Sequence, residues 1–418
     1  MRTVLILAPQ FPPSSLAGVH RARHLAKHLP AHGWRPVVVR VDEAHYTERL
    51  DPALAQRLPP DLIQVRTGAF PRTAGIGDLG LRGYIQLRAA SDRAIRQFGA
   101  SAVFMTGFPF YQMLMAGHLR RTHGVPIVLD FQDPWVSADG ATRPTLSKEG
   151  LSHRLATWLE PQVLRQARFI TGVSETQNQD MRRRYPWLRP NRMSAIPIGA
   201  DPEDFVANAK PAELPSGLVE LRYVGAYWPR AEPVLRQLMR GLRTLREHHP
   251  SLPRRLRLSF TGTFSSALPS AAPPRPVLAI AEEEGVGDLV VETPERAPFG
   301  EALTLMAGAS GLLLIGSDEP HYTASKIYPA LMSGRPYLSL FHAQSSAHQV
   351  LRDAGGGIAL GFNDLSELGT FTDTIAEGLH RLATAPQSFG EVDPGAYAPY
   401  TANAVAGRFA AIFDEVAG

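Results

Sequence analysis

Cysteine is absent from the 418 residues, which removes disulfides, thiolate metal sites and a cysteine nucleophile, and fits a reducing compartment. Lysine is scarce: Lys27, Lys148, Lys210 and Lys326 are the only lysines among 43 basic residues. Long apolar runs are missing too. No stretch approaches the roughly 18–20 residues that a membrane span needs, and the opening Val4-Leu5-Ile6-Leu7 closes at Pro9-Gln10 without a small-residue cleavage site, so it reads as a buried strand and not a signal peptide. There is no Gly-x-Gly-x-x-Gly turn, which counts against a dehydrogenase, and no His-Glu-x-x-His zinc motif. His24, His28 and His32, spaced four apart, are expected along one exposed helix face, and no metal is expected. The arginines are dispersed and form no known nucleic-acid module, so no nucleic-acid partner is expected.

What is present describes a folded protein of ordinary make-up, with 44% hydrophobic and 20% charged residues. A chain of this length exceeds one core, since single cores stop growing near roughly 250–300 residues, so two domains follow. The net charge is only +4. The preference for arginine reads either as compositional habit or as attraction to anionic headgroups and diphosphates. Arg82, Arg88, Arg93 and Arg96, interleaved with Tyr84, Ile85 and Leu87, suggest a basic amphipathic surface helix. The expected location is cytoplasmic, with room for peripheral contact at the inner membrane face.

Short apolar runs alternate with helical periodicity along most of the chain. Strands are predicted at 3–7, 34–41, 101–105, 126–130, 169–173 and 193–196, with helices at 21–29, 111–123, 151–165 and 176–184 between them. A polar, Pro-containing stretch then interrupts the pattern. Alternation restarts with strands at 221–224, 256–261, 289–292, 311–315 and 337–340, helices at 232–248, 276–284, 299–307 and 325–332, and a final helix at 399–416. The expected domains are 1–205, a linker at 206–217, a second domain at 218–396, and a terminal segment 397–418 that packs back on the first. Each domain reads as a doubly wound parallel sheet, with ligands beyond the carboxyl ends of the strands.

Three segments carry candidate chemistry. The loop Pro12-Pro13-Ser14-Ser15-Leu16-Ala17-Gly18 joins the first strand to the first helix, where small residues let an anion or sugar approach the backbone. Asp130-Phe131-Gln132-Asp133-Pro134-Trp135 sets two carboxylates at the end of a buried strand, expected to face the cleft, although Asp133 also suits a turn before Pro134. His321 to Pro336 turns from loop to helix at Ser325, and Lys326 in that first turn opposes the helix dipole unless an anion lies nearby.

The stretch Ala-Ser-Lys-Ile-Tyr-Pro-Ala-Leu-Met-Ser-Gly-Arg-Pro resembles the Ser-Lys block of family 4 GT-B glycosyltransferases, and Asp-Phe-Gln-Asp-Pro-Trp resembles a block of a bacterial branch. Pro12 to Arg21, Val173-Ser174-Glu175, Ile196 to Asp201 and Tyr223-Val224-Gly225 match in the same order. The resemblance implies the GT-B architecture, two Rossmann-like domains facing a central cleft. It implies metal-independent transfer from a UDP- or GDP-sugar, with retention, to a glycan, lipid-linked or secondary-metabolite acceptor. The nucleotide sugar is a substrate and no cofactor is expected. Carried over by position, Asp130, Asp133 and Lys326 would be catalytic. Gly18, Arg230 and Lys326 would hold the donor phosphates. Glu319, His321, Tyr322, Thr323 and Ala324 would meet the donor sugar, and Gly225, Thr293, Arg296 and Ser325 the nucleotide. One departure stands out: two glutamates separated by seven residues are common in the family, and here those positions hold His321 and Pro329. Proline cannot grip a ribose, which keeps open a catalytically inactive binding protein of the same fold, beside a UDP-N-acetylhexosamine epimerase.

Overall fold

The computed structural model describes residues 1–72, 76–107, 109–206, 217–264, 273–320 and 325–418. Most of the expected linker, 207–216, lies outside them, as do His321, Tyr322, Thr323 and Ala324. The chain forms two compact units, one of residues 1–198 with 402–418 and the other of 199–401.

The first unit is built on seven parallel strands: β1 (Arg2–Leu7), β2 (Trp34–Val41), β3 (Ile63–Thr67), β4 (Ala100–Gly107), β5 (Ile127–Phe131), β6 (Phe169–Gly172) and β7 (Met193–Ala195). Their order is β3-β2-β1-β4-β5-β6-β7. Successive side chains of a strand point to opposite faces, so a continuous apolar run feeds two cores. Leu5, Leu7, Val37, Val39, Val103 and Met105 fill one face. Val4, Ile6, Val38, Phe104 and Val128 fill the other, against Ala22 and Leu25 of the helix Val19–His28 and Phe409 and Phe413 of the final helix Ala402–Ala417. That final helix is fastened by Phe104 against Phe409 at 5.3 Å between ring centres, by Trp34 Nε1 donating to Asp414 at 3.1 Å, and by Arg408 donating to the Ala195 carbonyl at 2.6 Å.

Two expectations for this unit are corrected. His24 is not solvated: the helix Val19–His28 is covered on most of its surface, and the His24 ring is buried with Arg23 2.8 Å away. Arg82 is also buried, donating to the carbonyls of Phe70 at 2.9 Å and His45 at 3.0 Å, so the exposed basic face of Tyr84–Phe98 is carried by Arg88, Arg93 and Arg96.

The second unit has six parallel strands, β8 (Val219–Val224), β9 (Leu256–Thr261), β10 (Val290–Thr293), β11 (Gly311–Ile315), β12 (Tyr337–His342) and β13 (Gly357–Phe362). Their order, β10-β9-β8-β11-β12-β13, is that of a dinucleotide-binding sheet. Leu221, Leu258, Phe260 and Leu313 pack on the helices Glu232–His248 and Thr372–Thr384, while Leu312, Leu314 and Phe341 pack on Ile327–Met332 and Ser346–Ala354.

Candidate functional site

In the second unit the strand order reverses between β8 and β11, the position at which open parallel sheets accept ligands beyond their carboxyl ends. β8 ends at Val224 and the chain turns at Gly225, whose φ of 138° disfavours any residue with a Cβ. A Cβ there would lie 3.0 Å from the ammonium of Lys326, so this position needs glycine for both backbone and neighbour. The Gly225 N–H donates to the Thr261 carbonyl at 2.9 Å, and the Gly262 N–H donates to the Thr293 carbonyl at 2.8 Å. Gly262, at φ 80°, brings its main chain against Gly225 and Arg296. Gly225, Thr293, Arg296 and Lys326, named from sequence, are thereby linked at the carboxyl ends of β8, β9 and β10. Ser325, partly exposed, precedes Lys326 and accepts from the Tyr328 N–H at 3.4 Å.

Lys326 is the unusual group. Its ammonium donates to the Tyr223 hydroxyl and, at 3.4 Å, to the Ala226 carbonyl, and it lies 4.0 Å from the Tyr223 ring centre. No carboxylate among the described residues pairs with it. The residue keeps part of its surface exposed, yet loss of water around the ammonium pushes its pKa down to about 7. Desolvation also lowers Arg296 from its ordinary value. A cation held this way is stabilised by an arriving anion more than a hydrated lysine would be, because the cost of removing its water has already been met.

Arg230 is placed differently. Nε and Nη2 donate to the two oxygens of Asp318 at 2.8 and 2.9 Å, and Nη1 donates to Glu319 at 3.0 Å. This fork ties the turn Pro229–Ala231 to the segment after β11. A phosphate at Arg230 must compete with two carboxylates, and Glu319 reaches a sugar only by sharing Arg230.

In the first unit, Asp130 does not face outward as expected. It is fully enclosed, with one oxygen accepting from Thr171 Oγ1 at 2.7 Å and the other from Arg21 Nε at 3.1 Å. Burial raises its pKa, against the opposing pull of Arg21 and Thr171. Arg21, equally buried, donates its remaining N–H groups to the carbonyls of Pro197, at 2.8 Å, and Ile196, and lies over the Phe409 ring. Asp133, by contrast, is exposed. Gln132 donates to the Gly18 carbonyl at 3.0 Å and to Thr106 Oγ1 at 2.5 Å, so it fixes the first helix entry to the end of β5. Sequence reasoning missed Arg21 and Gln132. The one available signal was an arginine on the apolar side of Val19–His28.

Two parallel-sheet Rossmann-like units of this topology define the GT-B fold. Sucrose-phosphate synthase from Thermosynechococcus elongatus superposes with a TM-score of 0.67 at 14% identity, over 99% of both chains. HepE of Anabaena in complex with UDP-glucose gives 0.60 at 14% identity, over 99% of this chain and 100% of that one. A structure described as trehalose-6-phosphate from E. coli bound with UDP-2-fluoro glucose gives 0.64 at 10% identity, over 99% of both. Residues 18–199, nearly the whole sheet of the first unit, match the family model of the glycosyl transferase 4-like domain. No curated protein matches the sequence. Among the described residues, no three His, Asp or Glu side chains gather as metal ligands, and no helix is long and apolar enough to cross a membrane.

Proposed function

We propose that the protein is a nucleotide-sugar-dependent glycosyltransferase whose donor diphosphate binds at Lys326. The observation that carries this reading is a desolvated lysine with no carboxylate partner among the described residues, set against the glycine turn at the switch point of a dinucleotide-type sheet. As the sugar–phosphate bond breaks, charge grows on the leaving diphosphate, and a positioned ammonium stabilises that state more than the ground state. Lys326 is therefore the catalytic cation, with Gly225 and Gly262 admitting the phosphates and Thr293, Arg296 and Ser325 lining the nucleotide. Arg230 organises Asp318 and Glu319 and meets the donor through them. UDP-sugars are the first donors to try, since UDP-sugars occupy two of the similar folds. Retention, independence of metal, and a glycan, lipid-linked or small-molecule acceptor in the first unit follow from the resemblance, with Asp133 the exposed carboxylate available there. A peripheral membrane contact through Arg88, Arg93 and Arg96 belongs to the same reading, and co-sedimentation with anionic vesicles that survives their replacement by serine would remove it.

Thermal unfolding in the presence of UDP, GDP, ADP, dTDP and CMP tests the donor site. One nucleotide is expected to raise the midpoint of the wild type and not of Lys326→Ala, because a ligand that binds only the folded state stabilises it by mass action. Hydrolysis or transfer from the corresponding sugar nucleotide then separates an enzyme from an inert binding protein. If no nucleotide shifts the midpoint, the donor reading fails and the Pro329 departure becomes its explanation.

A further inference from the structure

At the opposite end of the first sheet, where β5, β6 and β7 begin, two adjoining concavities open, of about 200 and 370 Å³. They share Arg165, Arg168 and Arg192. Arg189 and Trp187 line the smaller one and Arg120 the larger. Neither is lined by any aspartate or glutamate. β5 is five residues long, which at about 3.3 Å per residue separates this end from the Asp133 end by roughly 15 Å.

The arginines converge for local reasons. Arg165 and Arg168 flank the tight turn after Lys148–Leu164, in which the Gln166 N–H bonds the Val163 carbonyl and the Ala167 N–H bonds the Leu164 carbonyl. Arg189 and Arg192 bracket the turn Pro190–Arg192, with the Arg192 N–H on the Arg189 carbonyl at 3.0 Å. Residues three apart in such turns project from one side. Two arginine pairs therefore point into the same hollow. Trp187, 41% exposed, stands at the lip with the Arg165 guanidinium 5.0 Å from its ring centre.

Elsewhere several arginines of this chain meet carboxylates. Arg182 meets Glu175, Arg183 meets Asp180, Arg236, Arg240 and Arg243 converge on Glu284, and Arg246 meets Asp288. None of Arg120, Arg165, Arg168, Arg189 and Arg192 forms an ion pair among the described residues. Helix ends account for Arg120 and Arg165, which sit where carbonyl dipoles favour a cation. Arg168, Arg189 and Arg192 have no such partner. An anion from outside lowers their mutual repulsion, and the planar guanidinium fork matches phosphate oxygens in pairs.

We infer that this double cavity is a second anion site, which binds a ligand carrying consecutive phosphates and is separate from the donor site. One cavity takes each phosphate cluster, and the exposed face of Trp187 receives a flat group attached to it. The chemistry suits a free polyphosphate or nucleotide, and equally a phospholipid headgroup.

The test is calorimetric titration of inorganic tripolyphosphate into Lys326→Met, in which the donor site is disabled, and into the same chain with Arg168→Ser and Arg192→Ser added. One tripolyphosphate per chain is expected in the first, and binding weaker by roughly 100-fold in the second, as two charge-assisted forks are lost. Arg168→Lys with Arg192→Lys keeps the charge without the fork and is expected to lose part of the affinity. Flotation with phosphatidylglycerol vesicles identifies the source: vesicle binding abolished by the serine pair assigns a headgroup, and its absence beside tripolyphosphate binding assigns a free ligand. Lys326→Met that takes up neither tripolyphosphate nor vesicles overturns the proposal, as does unchanged affinity in the serine variant. Arg168 and Arg192 are exposed, so an unfolding midpoint unchanged from the Lys326→Met parent separates lost binding from lost fold.

Discussion

Each unit carries a cation out of water, and the two are treated oppositely. Arg21 in the first unit is matched in place: Asp130, two carbonyls and the Phe409 ring surround it. Lys326 in the second has a hydroxyl, a carbonyl and an aromatic face, but no counter-charge among the described residues. A cation neutralised within its own unit holds elements together, here joining the first helix, β5 and the segment after β7. A cation left without charge compensation is costly to the fold and is retained where something else supplies the anion. On the function proposed above, the difference separates an architectural residue from one kept for a ligand.

The largest effect is expected where the matched pair is broken. Asp130→Ala leaves Arg21 buried against a cavity and should destabilise the first unit by about 3–5 kcal/mol, read as a lowered urea midpoint of Trp34 and Trp135 fluorescence. Arg21→Met combined with Asp130→Leu should recover part of that loss, since a buried pair can often be replaced by apolar packing. Full stability in Asp130→Ala alone would deny the pair its structural role. Lys326→Met should do the reverse. Its unfolding midpoint is expected to equal or exceed the wild type, while affinity for the cognate nucleotide falls by about 1.5–3 kcal/mol, or roughly 10- to 150-fold. A destabilised Lys326→Met with unchanged nucleotide affinity would erase the contrast between the two cations.

A smaller effect concerns pH. The folded lysine gives up its proton near pH 7, whereas an unfolded lysine keeps it to about 10.4. Between those values the unfolded chain binds the extra proton, so this group's contribution to stability rises with pH across that window and is flat below it. A bound diphosphate favours the charged form, so binding takes up a proton above pH 7. Nucleotide affinity should therefore fall as pH rises from 7 to 9, by at most about tenfold per unit. Calorimetry in buffers of different ionisation heat should show that uptake in wild type and not in Lys326→Met.

How much of this was legible in the sequence follows from the same physics. The elements at 34–41, 232–248, 256–261, 299–307 and 311–315 coincide with observed boundaries because each is a clean periodic run. β3 and β13 were not assigned: Ile63–Thr67 is half-buried with three polar members, and Gly357–Phe362 carries two glycines, so neither shows the apolar signature of a central strand. Lys326 and Gly225 were legible because a first-turn lysine and a strand-end glycine are locally odd. Asp130 was misjudged because sequence places a carboxylate at a strand end without showing that its partner, Arg21, lies 109 residues away on the covered face of another element.

The smallest effect probes how complete the second unit's site is. Pro329 occupies the third position of Ile327–Met332, where an amide has no intrahelical partner, so proline costs the helix little and glutamate would cost no more. If the nucleotide lies against Lys326, Pro329→Glu restores a carboxylate one turn further along the helix, in reach of a ribose. One or two hydrogen bonds of about 0.5–1.5 kcal/mol each should tighten UDP by a few-fold to tenfold. The gain should shrink for a nucleotide that lacks the 2′-hydroxyl, measured by the same titration. Equal gains for both nucleotides would show that the new charge acts on the fold and not on the sugar. No gain for either would place the ribose away from this helix, and the unmatched lysine would then serve a phosphate whose nucleoside is held by the β9 and β10 loops alone.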